Sequence, residues 1–512
     1  MILRAKLLGM EAGGKPIVVL NKNDADDLGI ISLERVEVRF NDNKMTAIVN
    51  LTEKAVPKGM IGVYEEVRNS LDLKENTELI VEVAKFPSSL NFIRNKLKGK
   101  KLNYEEISEI VKDVIEGNLN EMEIASFVTG LHTFGLDLEE AVSLSVAMVE
   151  TGDRLRLDRI CVDKHSIGGC VGDKTTLILV PIIAACGLTI PKTSSRAITS
   201  CAGSADKAEV LMPVNLDIDE MKTVVRKTNG CIVWGGTLRL APADDIFVKV
   251  EYPLSIDPLL LPSIMSKKLA AGANYLVIDI PCGRGTKVKT IGDANLLAKD
   301  FIELGQRLRI KTQCAITYGE QPIGYAIGPA LEAREALEVL MRRKSIPDII
   351  DKATHIADII LRMVGKNGQN VALDVIKSGR AEQKLREIIF EQGGDSEIKP
   401  EDIKIGDYGL DICSENSGIV LWISNSVLTD VARAAGSPKD KGAGILLYKK
   451  VGDKVEKDEK FFTIYAEKMR KLERARKMLE EEKAMGVGER MEMLIQEVKE
   501  LPVHKKAFIL ER

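Results

Sequence analysis

Between residues 158 and 340, short β-branched runs alternate with helix-period segments, and few folds accommodate that order. RICVD, LTIPKT, GCIVWGG and NYLVIDIPCG read as strands. TTLILVPIIAACG, SIMSKKLAAG, ANLLAKDFIELGQRL and, near 331–343, LEAREALEVLMRR read as helices. Strands separated by helices pair in parallel, with helices covering both faces of the sheet. Such a sheet binds ligands at the edge where its strands end.

The flanks have other periods. Before about residue 85, IVVL, VEVRF, TAIVNL and LIVEVAKF are β runs between Gly, Asn and Asp turns. From about 90 to 155 apolar residues recur at i, i+3 and i+4. Asn103 and Asp137 suit helix N-caps there, and Gly117 and Gly152 suit stops. GIVLWIS and GAGILLYKKVGDKVEKDEKFFTIYAE surround a helix near 427–435. KMRKLERARKMLEEEK reads as a charged, solvated helix, with docking on a partner subunit as the alternative. A chain of 512 residues fits two to four domains. We expect a multidomain α/β protein with α+β parts. It would comprise an N-terminal β domain (1–86), a helical domain (87–160), a mainly parallel α/β sheet domain (161–343) and a C-terminal α+β domain with a charged helical tail (344–512).

Charge and composition exclude several functions. The net charge of −3 gives no global basic field for nucleic acid or an acidic membrane. Aromatics at 4 % are too few for a base-stacking platform. The eight cysteines form no C-x-x-C pair, so reduced and mostly buried thiols are expected. The four histidines are scattered, which argues against a zinc site. MILRAKLLGMEAGGKP interrupts its apolar run with charges, so no cleaved signal is expected. TTLILVPIIAACGLTIP is the longest apolar stretch, but Pro181 and its flanking glycines suit a buried helix. A cytoplasmic protein follows.

Three loops after strands carry the chemistry. The first, Lys164 to Thr176, is KHSIGGCVGDKTT. It is not a P-loop, because Asp173 separates Gly172 from Lys174. Its glycines still let backbone N–H groups approach an anion, and a helix N-terminus follows. Lys164 adds a charge, and Ser166, Thr175 and Thr176 add hydroxyls. An ordinary βα turn is the alternative. The second loop, KTSSRAITSCAGSADKAE, gathers hydroxyls around Arg196; a surface loop held by local bonds is the alternative. The third, DIPCGRGTKVKT, brings Arg284 and Lys287 back across the strand ends, or is a solvated turn. Together the three suit two anions, or a phosphorylated substrate with inorganic phosphate.

The motifs resemble the thymidine phosphorylase family. Lys164-His165-Ser166-x-Gly168-Gly169 with Gly172-Asp173 and Thr176 resembles its KHSxGGxGD loop, with Cys170 as an extra residue. Ser194-x-Arg196, then Gly203-Ser204 and Asp206-Lys207-x-Glu209, is similar to its SGR…GGT-x-D-K-x-E signature. SIMSKK at 263–268 and QPIGYAIGPALEAREAL from Gln321 match in family order. Val248 stands where those enzymes place the Arg that meets a pyrimidine, and the β domain before residue 85 is additional. These departures, with SSRAITS and PLSIDP, resemble the archaeal AMP phosphorylase branch.

That resemblance implies AMP + phosphate → adenine + ribose 1,5-bisphosphate, with CMP and UMP as further candidates and no cofactor. Gly169, Ser195, Arg196, Ala197, Ile198, Thr199, Ser200, Ser204, Ser263 and Lys287 would contact the nucleotide, and Lys267 would lie on the base side. Lys164, Ser166, Thr176 and Ser194, with Ser204 shared, would hold phosphate. Asp257 would donate the proton; its bland alternative is a helix cap ahead of Pro258. His165 is a donor or a positioning residue. A homodimer or larger homo-oligomer is implied. The C-terminal hairpins resemble a biotinyl carrier without its modified Lys, so they are expected to be structural. A pyrimidine nucleoside phosphorylase, a magnesium-dependent phosphoribosyltransferase and a non-catalytic nucleotide sensor are the competing readings.

Overall fold

Six strands of the first 83 residues close into a barrel: β1 (Ile2–Leu7), β2 (Ile17–Asn21), β3 (Arg35–Phe40), β4 (Asn43–Thr52), β5 (Met60–Val63) and β6 (Glu78–Val83). The order is β1-β5-β2-β4-β3-β6, with β6 returning to β1; the β1–β5 and β2–β4 pairs are parallel. Alternate residues such as Val36, Val38, Leu79 and Val81 fill its interior. Two short helices, α1 (Lys22–Leu28) and α2 (Glu65–Leu71), pack against it. This is a computed structural model, and it describes residues 1–197, 200–366 and 370–489.

The helix-period segment forms α3 (Ser89–Lys96), α4 (Tyr104–Ile115), α5 (Glu121–Phe134) and α6 (Leu138–Glu150). The last three each start in a capping box, Asn103 with Glu106, Asn120 with Glu123, and Asp137 with Glu140. The barrel docks on this bundle. Arg35 of β3 pairs with Glu123 in a buried contact, and Lys15 reaches Glu121 at 2.5 Å.

The alternating segment forms β7 (Val162–Ser166), α7 (Thr175–Ala185), β8 (Ile190–Ser194), α8 (Ser204–Ala208), α9 (Ile218–Thr228), β9 (Gly230–Trp234), α10 (Pro242–Leu254), α11 (Leu260–Ala270), β10 (Tyr275–Cys282), α12 (Ile291–Arg307) and β11 (Lys311–Tyr318). Every pairing is parallel. β11-β10-β7 and β8-β9 meet at a parallel bridge, Cys161–Thr189, so all five strands end on one edge. α7 is buried from Thr175 to Ala184, as its uniformly apolar sequence requires. α10 leaves the sheet and joins the bundle, where the Phe247 ring lies 6.0 Å from that of Phe127. The turn after α10 therefore belongs to the bundle, and α11 leads back to the sheet.

The chain continues through β12 (Ala326–Ile327), α13 (Pro329–Leu340), α14 (Pro347–Met363), α15 (Val371–Lys377) and α16 (Arg380–Glu391); these helices share a core with α7. The C-terminal part has β13 (Tyr408–Cys413), β14 (Gly418–Ile423), α17 (Asn425–Ala435), β15 (Gly444–Leu447), β16 (Lys454–Val455), β17 (Lys460–Ala466), α18 (Met469–Glu481) and β18 (Met485–Gly488). They form two antiparallel sheets, β12-β15-β17-β13 and β16-β14-β18.

Two expectations change. α18 is solvated on its charged face, as expected, but one stripe docks within the chain: Leu472 and Ala475 are buried in a core shared with α17, and Met478 and Leu479 pack beside them. Its apolar stripe is narrow, so charge obscured it. The thiols are less buried than expected: Cys161, Cys170, Cys201 and Cys231 are buried, three others are partly so, and Cys413 is exposed. Among the described residues no helix is long and apolar enough to cross a membrane.

Candidate active site

The first loop is built on a buried charge network. Lys164 lies inside the sheet, its ammonium 3.4 Å from Asp279 and 3.9 Å from Asp173. Lys352 arrives from α14, 2.9 Å from Asp279 and 3.3 Å from Asp173. Thr317 donates to the other Asp279 oxygen at 2.6 Å. Burial pushes the Asp173 carboxyl up, but Lys352, Lys164 and Lys207 outweigh it and hold the group well below the ordinary range. Asp173 also accepts the Thr175 N–H at 3.0 Å, at the start of α7. Lys174, the residue that made the loop look like a P-loop, points elsewhere. It is wholly buried, donates to the carbonyls of Ile323 and Ala326, and pairs with Glu335.

The double glycine is a contact surface. Gly169 has φ +91°, and a Cβ there would come within 2.7 Å of the Lys287 nitrogen. The first loop therefore presses on the third, which only Gly permits. Ser166 is half-buried on the loop side, and Thr176 is buried beside Ser204, whose Oγ lies 3.4 Å from Thr176 Oγ1.

The second loop is braced by its own acids. Asp206 accepts N–H bonds from Ala197 at 2.7 Å and Gly203 at 2.9 Å. Lys207 ties it to the first loop through the Asp173 carbonyl at 2.7 Å and to Glu332 at 2.7 Å. The Arg196 guanidinium is committed to Glu209 at 2.6 Å and stacks over Trp234 at 4.8 Å. It shapes the loop and does not project from it. Ser195 is exposed and Ser200 bonds the Ala202 carbonyl. Ile198 and Thr199 lie outside the described residues. Ser194 ends β8 with its Oγ buried and without a hydrogen-bond partner among the described residues.

Asp257 occupies the turn between α10 and α11, and its carboxylate accepts from the Lys287 ammonium at 2.5 Å. The pair joins the bundle side to the third loop. Asp257 does not cap α11: the helix starts at Leu260 without a side-chain cap. Instead Glu251 of α10 accepts the Leu259 N–H at 3.1 Å. The cap expectation fails because Pro258 lies two residues before the helix begins. Burial pushes the Glu251 carboxyl up to about 7, with the charge of Asp257 next in importance. Ser263 and Lys267 lie one turn apart on α11, and Lys267 reaches back to Asp244 at 2.5 Å. Arg284 is exposed. His165 is held well below its ordinary value by burial and by Lys268, Lys192 and Lys164. A neutral imidazole suits positioning rather than proton donation.

The pattern extends to other proteins. Residues 90–152 match the helical bundle domain of a glycosyl transferase family, 158–382 match that family's a/b domain, and 420–485 match the pyrimidine nucleoside phosphorylase C-terminal domain. An AMP phosphorylase of Thermofilum pendens is 46 % identical over the full length of both chains. The chain belongs to the AMP phosphorylase family. AMP phosphorylases of Thermococcus kodakarensis and Methanocaldococcus jannaschii are 47 % and 46 % identical, each over 93 % of this chain and 95 % and 96 % of theirs. The fold is also similar to anthranilate phosphoribosyltransferase from Thermus thermophilus, with TM-score 0.51, 18 % identity, and coverage of 59 % of this chain and 98 % of that one. Unlike the a/b and bundle regions, the barrel lies outside all three matched domains, yet the AMP phosphorylase match to the Thermofilum chain runs through it.

Sequence reasoning missed Asp279, Lys352, Lys192, Asp163 and Glu251. Of these, Asp163, Lys192 and Asp279 lie within the strand and loop stretches named above, where no role was assigned to them. Asp279 and Lys352 become meaningful only once the sheet brings them together.

Proposed function

We propose that the protein phosphorolyses AMP to adenine and ribose 1,5-bisphosphate, with CMP and UMP as further candidate substrates. The near full-length likeness to AMP phosphorylases carries the reading. The site supports it chemically. Lys164, Ser166, Thr176, Ser194 and Ser204 line the first anion position. The buried, unpartnered Ser194 hydroxyl suits an oxyanion, because a buried donor without a partner costs about 1–3 kcal/mol. Gly169, the 195–200 segment, Ser263 and Lys287 receive the nucleotide, with Lys267 toward the base. The second loop holds the nucleotide through its backbone and hydroxyls, since Arg196 is already paired.

Phosphate oxygen attacks C1′ while the C1′–N bond breaks and its electron pair leaves with the base. Loops on a rigid sheet edge hold the two reactants together. The phosphate oxyanions stabilise the cationic ribose. Asp257 protonates the departing purine. In the substrate-free structure the Asp257 carboxylate accepts from the Lys287 ammonium at 2.5 Å. The nucleotide's 5′-phosphate competes for Lys287 and frees Asp257, and the proton that Asp257 passes to the base is the one the attacking hydrogen phosphate gives up as its oxygen bonds to C1′. Glu251 stands behind it as a second carboxyl. Inorganic phosphate is a co-substrate, and no step draws on a resident cofactor. We place the enzyme in the cytoplasm as a homo-oligomer.

The test is incubation with AMP, CMP, UMP, adenosine and thymidine, with and without phosphate, and identification of the released base and sugar phosphate. AMP should exceed adenosine by at least about a hundredfold in kcat/KM, since charge-assisted contacts contribute roughly 1.5–3 kcal/mol each. Release of base from thymidine but not AMP would overturn the reading.

A further inference from the structure

The charges beneath the first two loops do not balance. Lys164, Lys192, Lys268 and Lys352 are buried there, facing the three carboxylates Asp163, Asp173 and Asp279. Lys164 and Lys352 share Asp173 and Asp279. Asp163 is already used: one oxygen accepts the Lys164 backbone N–H at 2.7 Å and the other accepts from Lys268 at 2.7 Å. Lys192 is left with that same Asp163 at 3.6 Å and with the Thr193 carbonyl at 2.7 Å. Its carboxylate contact is this one at 3.6 Å, on an aspartate already used by Lys268, whereas Lys164 has two, at 3.4 and 3.9 Å.

Among the described residues, the titratable groups around Lys192 come from three elements. β7 contributes Asp163, Lys164 and His165; α11 contributes Lys268; β9 contributes the Cys231 thiol. Cations outnumber anions, and the imidazole and thiol are neutral. Burial therefore lowers the Lys192 amine to about 7, with Lys268 and Lys164 adding to the effect against Asp163. Lys192 and Ser194 share one face of β8, two residues or roughly 7 Å apart. The unpartnered Ser194 hydroxyl thus lies one step outward, at the strand end assigned to the phosphate.

We propose that Lys192 is a positioning residue that couples phosphate binding to uptake of one proton. The incoming dianion supplies the missing negative charge, and the neutral amine takes a proton from solvent to become an ammonium. No bond other than this N–H is made. The ammonium then holds the β8 end and its Ser194 against the anion. The inference rests on the proposal that these loops bind phosphate.

Calorimetric titration with inorganic phosphate in two buffers of different ionisation enthalpy, at about pH 8.5, tests it. There phosphate is a dianion and the free-state amine is neutral. Wild type should take up close to one proton, and its Kd should rise about tenfold per pH unit above pH 7.5. Lys192→Met, which fills the slot without charge, should bind weakly and take up none. Lys192→Arg, always charged, should take up none and bind with a flat pH profile. Phosphate binding by wild type without proton uptake, or equal uptake by Lys192→Met, overturns the inference and leaves the phosphate site intact. Failure of wild type to bind phosphate at all instead removes the site assignment, and the inference with it.

Discussion

At the scale of single residues, the two carboxyls of the 251–257 segment separate chemistry from structure. Asp257 has no cap to lose, because Glu251 holds the Leu259 N–H. Asp257→Asn and Asp257→Ala should therefore both cut kcat on AMP by about a hundredfold or more, with little change in melting temperature. Steady-state kinetics beside thermal melts checks this; unchanged kcat in both variants would send the search for the acid elsewhere. Glu251 behaves oppositely. Its folded value of about 7 exceeds the ordinary 4.5, so the fold carries no penalty below about pH 4.5 and a growing one as pH rises through 7. Glu251→Gln keeps the acceptor and removes the charge. It should match wild type near pH 4 and be more stable at pH 8, by on the order of 2 kcal/mol. Denaturant melts at the two pH values read the difference directly.

At the scale of elements, the sequence revealed whatever depends on neighbours along the chain. The strands at 162–166, 190–194, 230–234 and 275–282 are mostly buried, and the apolar runs RICVD, LTIPKT, GCIVWGG and NYLVIDIPCG that lead into or through them stood out. β11 did not, because KTQCAITY is a half-exposed edge strand whose polar residues blur the pattern. The glycines and hydroxyls of the three loops were legible. Their supports were not: Asp279 and Lys352 lie more than 70 residues apart and meet only through the fold. Nor could the sequence show that α10 returns to the bundle, which is what places Asp257 opposite Lys287. Lys352 gives an element-level test. Replacing it by Met leaves the fully buried Asp279 with the Thr317 hydroxyl and the Lys164 ammonium, the latter at 3.4 Å. Breaking a buried pair in this way costs roughly 3–5 kcal/mol. Lys352→Met should lower stability by about that amount in denaturant melts and raise the KM for phosphate. A loss below about 1 kcal/mol would mean that α14 does not support the loop.

For the whole molecule, the question is what the barrel contributes. It closes on itself and fills its own interior with Val, Leu and Ala side chains, so it has no edge left to extend the main sheet. None of the proposed site residues, which lie between 164 and 287, belongs to it. Two ion pairs tie it to the bundle, Arg35 with Glu123 and Lys15 with Glu121. Glu123 also completes the capping box of α5, so the barrel touches the bundle where that helix begins. Arg35→Glu would set two carboxylates together in a buried contact, a penalty of roughly 3–5 kcal/mol that undocking relieves. The barrel core does not use Arg35, so the barrel should stay folded. Limited proteolysis should then cut faster in the exposed link near Lys85 and Phe86, and solution scattering should show a larger particle. Turnover on AMP should stay within about twofold of wild type. A large fall in kcat with an intact a/b domain would reverse this conclusion, because it would show that the docked barrel holds α5 and α10, and through them Asp257, in place for catalysis.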